Sequence, residues 1–506
     1  MKQRAVQLDG EKLTIEQVVA VARGYARVVL TQAARRRMQR SRRWVERAVK
    51  ERNVVYGVTT GFGWFQNISI PPEKLRQLQR NLILSHCSGV GEPLEEEVVR
   101  AMLVLRANAL AKGFSGIRVS TVESLVEMVN RRVHPVVPAQ GSVGASGDLA
   151  PLSHIAAVLI GEGEAHFQRR RMTGARAMKS AGLKPVVLEA KEGLALTNGT
   201  QAMAALGVLA LSDAQILADT ADIAAAMTLE AVKGKTMPFA ARVHTLRPHA
   251  GQSRSARNIR SLVKGSKLVD GVDDDTRGKV QDSYSLRCAP QVHGASRDAI
   301  SFVRRALETE INSATDNPLI LPDDEEAYNA GNFHGQPIAL PLDFLGLAVA
   351  ELGSISERRT AKLLDRNHSY GLPPFLAAHG GLESGLMIAQ YTAAALASEN
   401  KVLMHPASGD SIPTSANQED HVSMGTIAAR QTREIVRNVR QILAIELLCA
   451  AQALDGRRER PGNRIRQVYE AIRAVVPELK GDRALSSDIA KVVSLVASGL
   501  LRKVLP

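Results

Sequence analysis

Four long apolar segments constrain the fold of this 506-residue chain more than any other feature. Residues 199–237 contain no proline and are dense in alanine, leucine, methionine and isoleucine, and residues 340–367, 382–404 and 422–454 are similarly apolar. Each segment is too long for an ordinary globular helix and lacks the alternation of a strand. Because long helices bury their apolar faces by packing side by side, the sequence predicts a mainly α protein built on a helix bundle.

The length of the chain predicts more than one structural region, since a single hydrophobic core stops growing well below 506 residues. Hydrophobic residues make up 45% of the chain and charged residues 23%, which is typical of a folded protein. Glycine-rich sequence gives way to long apolar segments near residue 200. We therefore expect an N-terminal region over residues 1–200, and a helix bundle with a C-terminal helical region over residues 201–506.

Targeting signals and metal sites are not evident in the sequence. Residues 1–24 alternate charged and apolar positions, unlike a secretory signal, and we expect no membrane-spanning segment. Cys87, Cys288 and Cys449 are far apart and odd in number, which argues against a disulfide framework and against a zinc-binding pattern. We expect reduced thiols, no bound metal and a cytoplasmic location.

The formal net charge of +14 is concentrated in residues 35–47, which include seven arginines. Such a segment could bind nucleic acid or a phosphorylated partner. Nucleic-acid-binding surfaces usually interleave aromatic side chains, and aromatic residues are only 4% of this chain. We favour a solvated helix face with Trp44 and Val45 packed beneath it, and expect neither a nucleic acid nor a membrane as partner.

The most informative loop covers residues 140–154, with the sequence QGSVGASGDLAPLSH. The spacing of its glycines does not match a dinucleotide-binding G-x-G-x-x-G motif, and it lacks the Gly-Lys-Ser/Thr ending of a phosphate-binding loop. Asp148 stands where the nucleophile motif G-x-S-x-G has its last glycine. A plain glycine- and serine-rich turn remains an alternative interpretation.

Ala145-Ser146-Gly147 could also form a reactive group. Because glycine has no side chain, the Gly147 nitrogen can fold back onto the Ala145 carbonyl carbon with little steric cost. Loss of one water would close a five-membered ring, and dehydration of Ser146 would leave an electron-poor exocyclic carbon. The spacing permits this reaction without by itself predicting it.

Residues 141–154 closely resemble the signature of the aromatic amino acid ammonia-lyases. In that family, Ala-Ser-Gly matures autocatalytically into 4-methylideneimidazol-5-one. Further segments resemble family motifs in the family order, and together they span most of residues 55–425; they are residues 56–63, 196–200, 281–288, 315–318 and 331–334.

The resemblance implies an aspartase/fumarase-like fold, with a long central helix bundle and an N-terminal loop-rich region that carries the active-site loops. It also implies a homotetramer whose active sites draw residues from several subunits. Apart from the group formed from Ala145-Ser146-Gly147, the resemblance implies no external cofactor.

Catalytic roles follow from the same motifs. Tyr56 resembles the acid–base tyrosine of the family, and we expect its pKa to be tuned below the usual value of about 10 so that it can act as a base. Asn198 and Tyr284 resemble the groups that support the electrophile and position its oxygen and the amine.

Substrate-binding roles are also implied. Arg287 resembles the residue that clamps the substrate carboxylate, for which a planar guanidinium is suited. Gln281 is expected in the same hydrogen-bond network. Phe333 resembles the ring that stacks near the reactive group, with an ordinary core position as the alternative.

Two features favour a histidine-selective member of the family. Ser85-His86 stands where phenylalanine- or tyrosine-selective members have a more apolar pair, and a polar imidazole needs such partners. Glu419, within residues 415–424, resembles the carboxylate that contacts the imidazole or assists proton transfer. We interpret His405 and His421 as structural histidines.

The expected reaction is therefore a carbon–nitrogen lyase reaction: elimination of ammonia from L-histidine to give trans-urocanate, the first step of histidine degradation. A tyrosine or phenylalanine ammonia-lyase and a 2,3-aminomutase of the same family remain alternatives. A non-catalytic basic scaffold that binds nucleic acid is a more remote one.

Overall fold

The secondary structure is mainly α-helical, which confirms the predicted fold class. The computed structural model describes residues 5–271 and 273–506. The α-helices of these residues, in chain order, are α1 Ile15–Ala22, α2 Gln32–Lys50, α3 Leu75–His86, α4 Glu96–Ala111, α5 Val119–Asn130, α6 Leu149–Leu159, α7 Gly174–Ser180, α8 Glu192–Thr197, α9 Gln201–Ala231, α10 Ala241–Thr245, α11 Ala250–Leu262, α12 Tyr284–Arg287, α13 Ala289–Glu310, α14 Gln336–Leu364, α15 Met387–Leu403, α16 Gly425–Asp455, α17 Asn463–Arg473 and α18 Ser486–Ala497.

Strands are short and form small sheets. Their bounds are β1 Val6–Leu8, β2 Val28–Leu30, β3 Val90–Pro93, β4 His134–Pro135, β5 Pro138–Gln140, β6 Glu164–Phe167, β7 Arg170–Thr173, β8 Leu319–Leu321 and β9 Glu326–Tyr328. Strands β1 and β2 pair in parallel, whereas β3–β5, β4–β6–β7 and β8–β9 are antiparallel.

Each of the four apolar segments forms a long helix or contains one, and three of these are the longest helices of the described residues. Helices α9 and α16 have 31 residues each, α14 has 29 and α15 has 17. Pro341 lies inside α14, in its second turn, where it removes one backbone hydrogen-bond donor from the helix. The composition therefore predicted these elements, and their ends differ from the predicted segments by several residues.

Two of these helices have the length and apolar content of a membrane span. They are α9 and α14, and 83% and 67% of their most apolar windows are buried inside the protein. Length and composition alone do not distinguish a membrane span from the core helix of a globular protein. Their burial is what a core helix of a globular protein shows.

The described chain divides into two compact units. The first comprises residues up to 212, 304–343 and 406–430, and it holds all nine described strands and helices α1–α8. The second comprises residues 213–303, 344–405 and 431–506, and helices α10, α11, α12, α15, α17 and α18 lie wholly within it.

The arginine-rich segment forms helix α2 of the first unit. Val45 is fully buried in an apolar cluster, with Trp44 packed against it, as the sequence predicted for a helix face. Several of the arginines form ion pairs within the unit; the pairs are Arg35–Glu123, Arg40–Asp323, Arg42–Glu46 and Arg47–Glu325. Part of the concentrated positive charge is thus compensated by carboxylates of neighbouring elements.

Candidate active site

The loop between β5 and α6 carries Ala145-Ser146-Gly147, and its glycines determine its path. Gly147 has φ +72°, in the left-handed region that glycine adopts at little cost. A Cβ atom on Gly147 would lie 2.3 Å from the Gly199 carbonyl oxygen, and the two residues form a parallel bridge. The backbones of the two loops therefore meet directly, and only glycine fits here.

Asp148 anchors this loop from inside the protein. Its carboxylate is fully buried and accepts hydrogen bonds from Ser142 Oγ at 3.0 Å and from Thr426 Oγ1. It also accepts from the backbone nitrogens of Ala202 and Met203, at 2.8 and 2.9 Å, in the first turn of α9. Burial raises the pKa of Asp148, and these hydrogen bonds act against that rise.

Ser146 points its hydroxyl at a carboxylate. Ser146 Oγ donates to Glu419 Oε1 at 3.0 Å, and Thr414 Oγ1 donates to Glu419 Oε2 at 2.9 Å. Ala145 is 7% exposed and packs against Val422 and Met424. The tripeptide is therefore held on its apolar side, while its hydroxyl and the carboxylate face each other.

Asn198 lies on the other side of the tripeptide, directly after α8. Its Nδ2 donates to the Ser146 carbonyl oxygen at 3.0 Å. Its Oδ1 is buried and has no hydrogen-bond partner. Since a buried polar atom without a partner costs free energy, this oxygen is a candidate acceptor for a ligand donor.

A cavity of about 790 Å³ opens onto Ser146. Five residues singled out in the sequence line it together, and these are Tyr56, His86, Ser146, Asn198 and Glu419. Apolar side chains complete the wall, including Phe62, Leu78 and Leu82. An apolar pocket with a few converging polar groups is the usual form of a small-molecule site.

Tyr56 is partly buried in this cavity, with its hydroxyl oxygen accepting from the Gly63 backbone nitrogen at 3.2 Å. Burial raises the pKa of Tyr56, and the negative charge of Glu419 raises it further. The hydrogen bond from Gly63 acts in the opposite direction. The expected lowering of this pKa was therefore wrong for the chain as folded, because burial and a neighbouring carboxylate both disfavour a phenolate.

His86 ends α3 and lines the same cavity. Its Nδ1 lies 3.0 Å from Ser85 Oγ. Burial lowers the pKa of His86, although the Glu419 charge opposes the shift, so the imidazole is neutral near pH 7. A neutral imidazole offers one donor and one acceptor to a polar ligand.

Apart from Ala145 and Gly147 of the tripeptide, four residues assigned in the sequence do not line this cavity. Phe333 is partly buried in the first unit, in the turn before α14. Gln281, Tyr284 and Arg287 belong to the second unit, where Gln281 is exposed and Tyr284 is 71% exposed. The Arg287 guanidinium lies 4.5 Å from the centre of the Tyr284 ring, and its buried Nε has no partner.

Asp148 and Thr414 were not assigned roles from the sequence. Asp148 directly follows the tripeptide, and an aspartate before a helix is a recognisable capping signal. It caps the first turn of α9 rather than its own helix, α6, which the local sequence does not reveal. Thr414 carries no local signal, because its partner Glu419 is fixed by the loop geometry.

Metal ligands are not grouped in the part of the chain that the structure describes. No set of three or more histidine, cysteine, aspartate or glutamate side chains is placed there to hold a metal ion. His421 stacks on His334, with ring centres 5.9 Å apart, and the His334 Nε2 lies 3.1 Å from the His421 carbonyl oxygen.

Comparisons with known proteins find relatives that match nearly the whole chain. A histidine ammonia-lyase of Caldanaerobacter subterraneus subsp. tengcongensis is 55% identical over 503 residues, which cover 99% of this chain and 98% of that protein. The crystal structure of histidine ammonia-lyase from Trypanosoma cruzi superposes with a TM-score of 0.92 at 43% identity, covering 99% of this chain and 95% of the other. A tyrosine aminomutase from Streptomyces globisporus superposes with a TM-score of 0.94 at 40% identity, covering 99% and 98%.

The model of the aromatic amino acid lyase family matches residues 13–474. That range includes every residue of the cavity described above and all of the motifs that suggested the resemblance. The chain belongs to the aromatic amino acid lyase family.

Proposed function

We propose that this chain eliminates ammonia from L-histidine to give trans-urocanate, as the first step of histidine degradation. The observation that carries the proposal is the cavity in which Ser146, Glu419 and His86 meet. Identity of 55% to a histidine ammonia-lyase along nearly the whole chain supports it.

The reactive group would be 4-methylideneimidazol-5-one, formed from Ala145-Ser146-Gly147. A bond forms between the Gly147 nitrogen and the Ala145 carbonyl carbon with loss of one water, and Ser146 loses a second water from its Cα and Oγ. The site suits this group. Gly147 has a left-handed φ, which residues with a side chain rarely adopt, and Ala145 is small and packs against Val422 and Met424. Asn198, which binds the Ser146 carbonyl oxygen, has a buried Oδ1 without a hydrogen-bond partner.

When formed, this group supplies an electron-poor carbon that makes the substrate amine a better leaving group. The residues around it then have separate tasks. Asn198 Nδ2 holds the Ser146 carbonyl oxygen and can stabilise negative charge on it. Asn198 Oδ1 is free to accept a hydrogen bond from the substrate amine.

Substrate choice would come from His86 and Glu419. A carboxylate can accept the imidazole N–H of histidine, and the neutral His86, beside Ser85, can exchange a second hydrogen bond with it. A phenyl ring would offer neither group a hydrogen bond. A site built on such partners therefore discriminates against phenylalanine.

Proton transfer is assigned to Tyr56 and Glu419. Because its pKa is raised, Tyr56 is protonated near neutrality and is suited to donate a proton or a hydrogen bond. To act as a base it needs positive charge nearby, which a bound ammonium or imidazolium group would bring. The Glu419 carboxylate accepts from Ser146, and its charge acts on Tyr56.

Binding of the substrate carboxylate is assigned to Arg287, with Tyr284 and Gln281 in its network and Phe333 stacking near the reactive group. These four residues do not line the Ser146 cavity of the single chain. We therefore infer a homotetramer in which subunits share active sites. We also propose a cytoplasmic location and no external cofactor.

A 2,3-aminomutase is the second candidate, and the similarity to the tyrosine aminomutase of Streptomyces globisporus favours keeping it. The two activities differ in product, because an aminomutase yields a β-amino acid. Chromatography of the products from histidine, tyrosine and phenylalanine separates the possibilities, including a tyrosine or phenylalanine ammonia-lyase.

The proposal is tested by Ser146→Ala, with intact mass and urocanate absorbance as readouts. The parent chain should be lighter than its sequence by two waters and should convert histidine to urocanate. The variant should fold, keep the full sequence mass and lose nearly all turnover. Ser153→Ala is the matched control, because Ser153 is a fully buried serine of α6 whose Oγ has no partner.

An active chain with the full sequence mass would overturn the reactive group. A parent chain that matures but leaves histidine unchanged would overturn the substrate.

A further inference from the structure

The short helix α8 delivers Asn198 to the tripeptide, and all six of its residues are buried. The last carbonyls of a helix have no partner within the helix, so buried ones need a donor from elsewhere. We propose that Arg106 is a positioning residue that fixes the end of α8 and thereby aims the Asn198 amide at the Ser146 carbonyl oxygen. The inference rests on the proposed function of the Ser146 site.

Arg106 lies in α4 and is 1% exposed, and its three guanidinium nitrogens donate to the end of α8 and to the residues next to it. Its Nε donates to the Ala195 carbonyl oxygen at 2.9 Å, and its Nη2 donates to the same oxygen. Its Nη1 donates to Gln201 Oε1 at 2.7 Å and to the Thr315 carbonyl oxygen at 3.0 Å. One side chain therefore ties together the residues on both sides of Asn198.

The turn after Asn198 packs so closely against Arg106 that Gly199 has no space for a side chain. A Cβ atom on Gly199 would lie 2.3 Å from Arg106 Nη1 and 2.7 Å from the Thr315 carbonyl oxygen. The Gly199 carbonyl oxygen in turn accepts from the Asp148 backbone nitrogen at 2.7 Å. Gly199 thus lies close to Arg106 and is hydrogen-bonded to Asp148, the residue after the tripeptide.

The start of α8 is fixed by a second buried cation. Lys191 is fully buried, and its Nζ lies 2.9 Å from Asp316 Oδ2. The Gln201 Nε2 donates to Thr315 Oγ1 at 2.7 Å. The Thr-Asp pair at 315–316 belongs to a motif that the proposed chemistry does not otherwise use, and here it anchors both ends of the helix that carries Asn198.

Only an arginine can make this set of contacts. The guanidinium donates along two directions in a fixed plane, whereas an ammonium group is a single point donor on a flexible stem. Arg106→Lys therefore keeps a cation near the Ala195 carbonyl but cannot also hold Gln201 and Thr315. The Asn198 Nδ2 to Ser146 oxygen contact, 3.0 Å long, then loses its fixed geometry.

The same helix provides a matched control. Arg100 is also 1% exposed, and its Nε and Nη2 donate to one carbonyl oxygen, that of Val21, at 3.0 and 2.8 Å. Its Nη1 lies 3.1 Å from the Val129 carbonyl oxygen and 3.0 Å from His134 Nε2. Arg100→Lys imposes the same kind of loss at a position that does not contact α8 or the tripeptide.

The experiment compares Arg106→Lys and Arg100→Lys in the full-length protein. Intact mass gives the fraction of chains that have lost two waters, thermal unfolding gives stability, and histidine turnover gives kcat and KM per mature chain. We expect both variants to unfold at lower temperature. Only Arg106→Lys should lower kcat, by about tenfold or more, with KM changed less than about twofold, since Asn198 contacts the reactive group rather than the imidazole.

Equal kcat values per mature chain in the two variants would overturn the inference. If Arg106→Lys does not fold, Gln201→Met removes one acceptor of Arg106 without removing a charge, and an unchanged kcat in that variant would also refute it. A parent chain inactive on histidine would instead refute the proposed function, while the mass of the variants would still report on the tripeptide.

Discussion

Ser146 and Glu419 are joined by a hydrogen bond, with Oγ and Oε1 3.0 Å apart. The second oxygen of the same carboxylate accepts from Thr414 Oγ1. Glu419 was assigned from the sequence to the substrate imidazole, and in the structure it accepts from Ser146, the residue that would lose its hydroxyl in the proposed maturation. The carboxylate that we propose for the substrate imidazole is therefore also bound to the tripeptide.

Glu419→Gln should shift the pH dependence of the reaction. The charge of Glu419 raises the pKa of Tyr56, so its removal lowers that pKa. The limb of the kcat/KM profile that reports Tyr56 should then move to lower pH. Asp420→Asn is the control, because it removes a charge from the next, exposed residue. A limb that stays in place or moves to higher pH would contradict the assignment.

Gly147→Ala should abolish maturation. Its Cβ would lie 2.3 Å from the Gly199 carbonyl oxygen, and its φ of +72° is strained for alanine. Gly265 has φ +78° and nothing within 4 Å of its Cβ position, so Gly265→Ala isolates the strain alone, worth about 1 kcal/mol. Intact mass and histidine turnover check the pair. A Gly147→Ala chain that still loses two waters would contradict the prediction, because the loop would then have shifted to accept the side chain.

His134 should make stability fall in acid. It is 5% exposed, and its Nε2 must accept from the Arg100 guanidinium, which has no acceptor. Burial lowers the pKa of His134 from 6.5 to about 4. The unfolded chain takes up the proton first, so stability is full above pH 6.5, declines as the pH falls and has lost on the order of 3 kcal/mol by pH 4.

Urea titrations of the parent and of His134→Gln at pH 7 and pH 4.5 measure this contribution. The variant should lose less stability between the two pH values than the parent does. Exposed His249 provides the control, and His249→Gln should lose as much stability between the two pH values as the parent does. An equal loss of stability in the parent and in His134→Gln would refute the prediction.

Glu230 should make stability fall as the pH rises, which is opposite to the effect of His134. It is fully buried, both carboxylate oxygens lie within 3.3 Å of the Gly462 nitrogen, and burial raises its pKa from 4.5 to about 7. The stability it contributes is full below pH 4.5 and is lost as the pH rises through 7, because only the unfolded chain ionises freely in between. Glu230→Gln removes this titration while keeping an acceptor for Gly462.

Denaturant unfolding at pH 5 and pH 8 tests the effect. Glu230→Gln should be more stable than the parent at pH 8, by up to roughly 3 kcal/mol, and nearly equal to it at pH 5. Glu351→Gln, on the exposed side of α14, should change neither value. A Glu230→Gln variant that is less stable at both pH values would contradict the prediction.

Features encoded locally were predictable from the sequence. Apolar length and the absence of prolines predicted helices such as α9 and α16, because helix formation depends on neighbouring residues. The motifs also predicted Tyr56, His86 and Asn198 as site residues, and the structure places them around one cavity. The division of the chain at residue 200 and the roles of the site residues stay predictions.

Features that depend on distant contacts were not predictable. The raised pKa of Tyr56 results from burial and from Glu419, which lies far away in the chain. Arg106 looked like any charged residue of a helix, and only the folded structure brings Ala195 and Thr315 to its guanidinium. A single sequence has no local pattern for such encounters.

The backbone contact between Gly147 and Gly199 has a consequence for protein engineering. Neither position accepts a side chain, so neither offers a handle for changing which amino acid the cavity admits. Redesign therefore has to change other lining residues, such as the apolar Phe62, Leu78 and Leu82, whose side chains set the volume and polarity of the cavity.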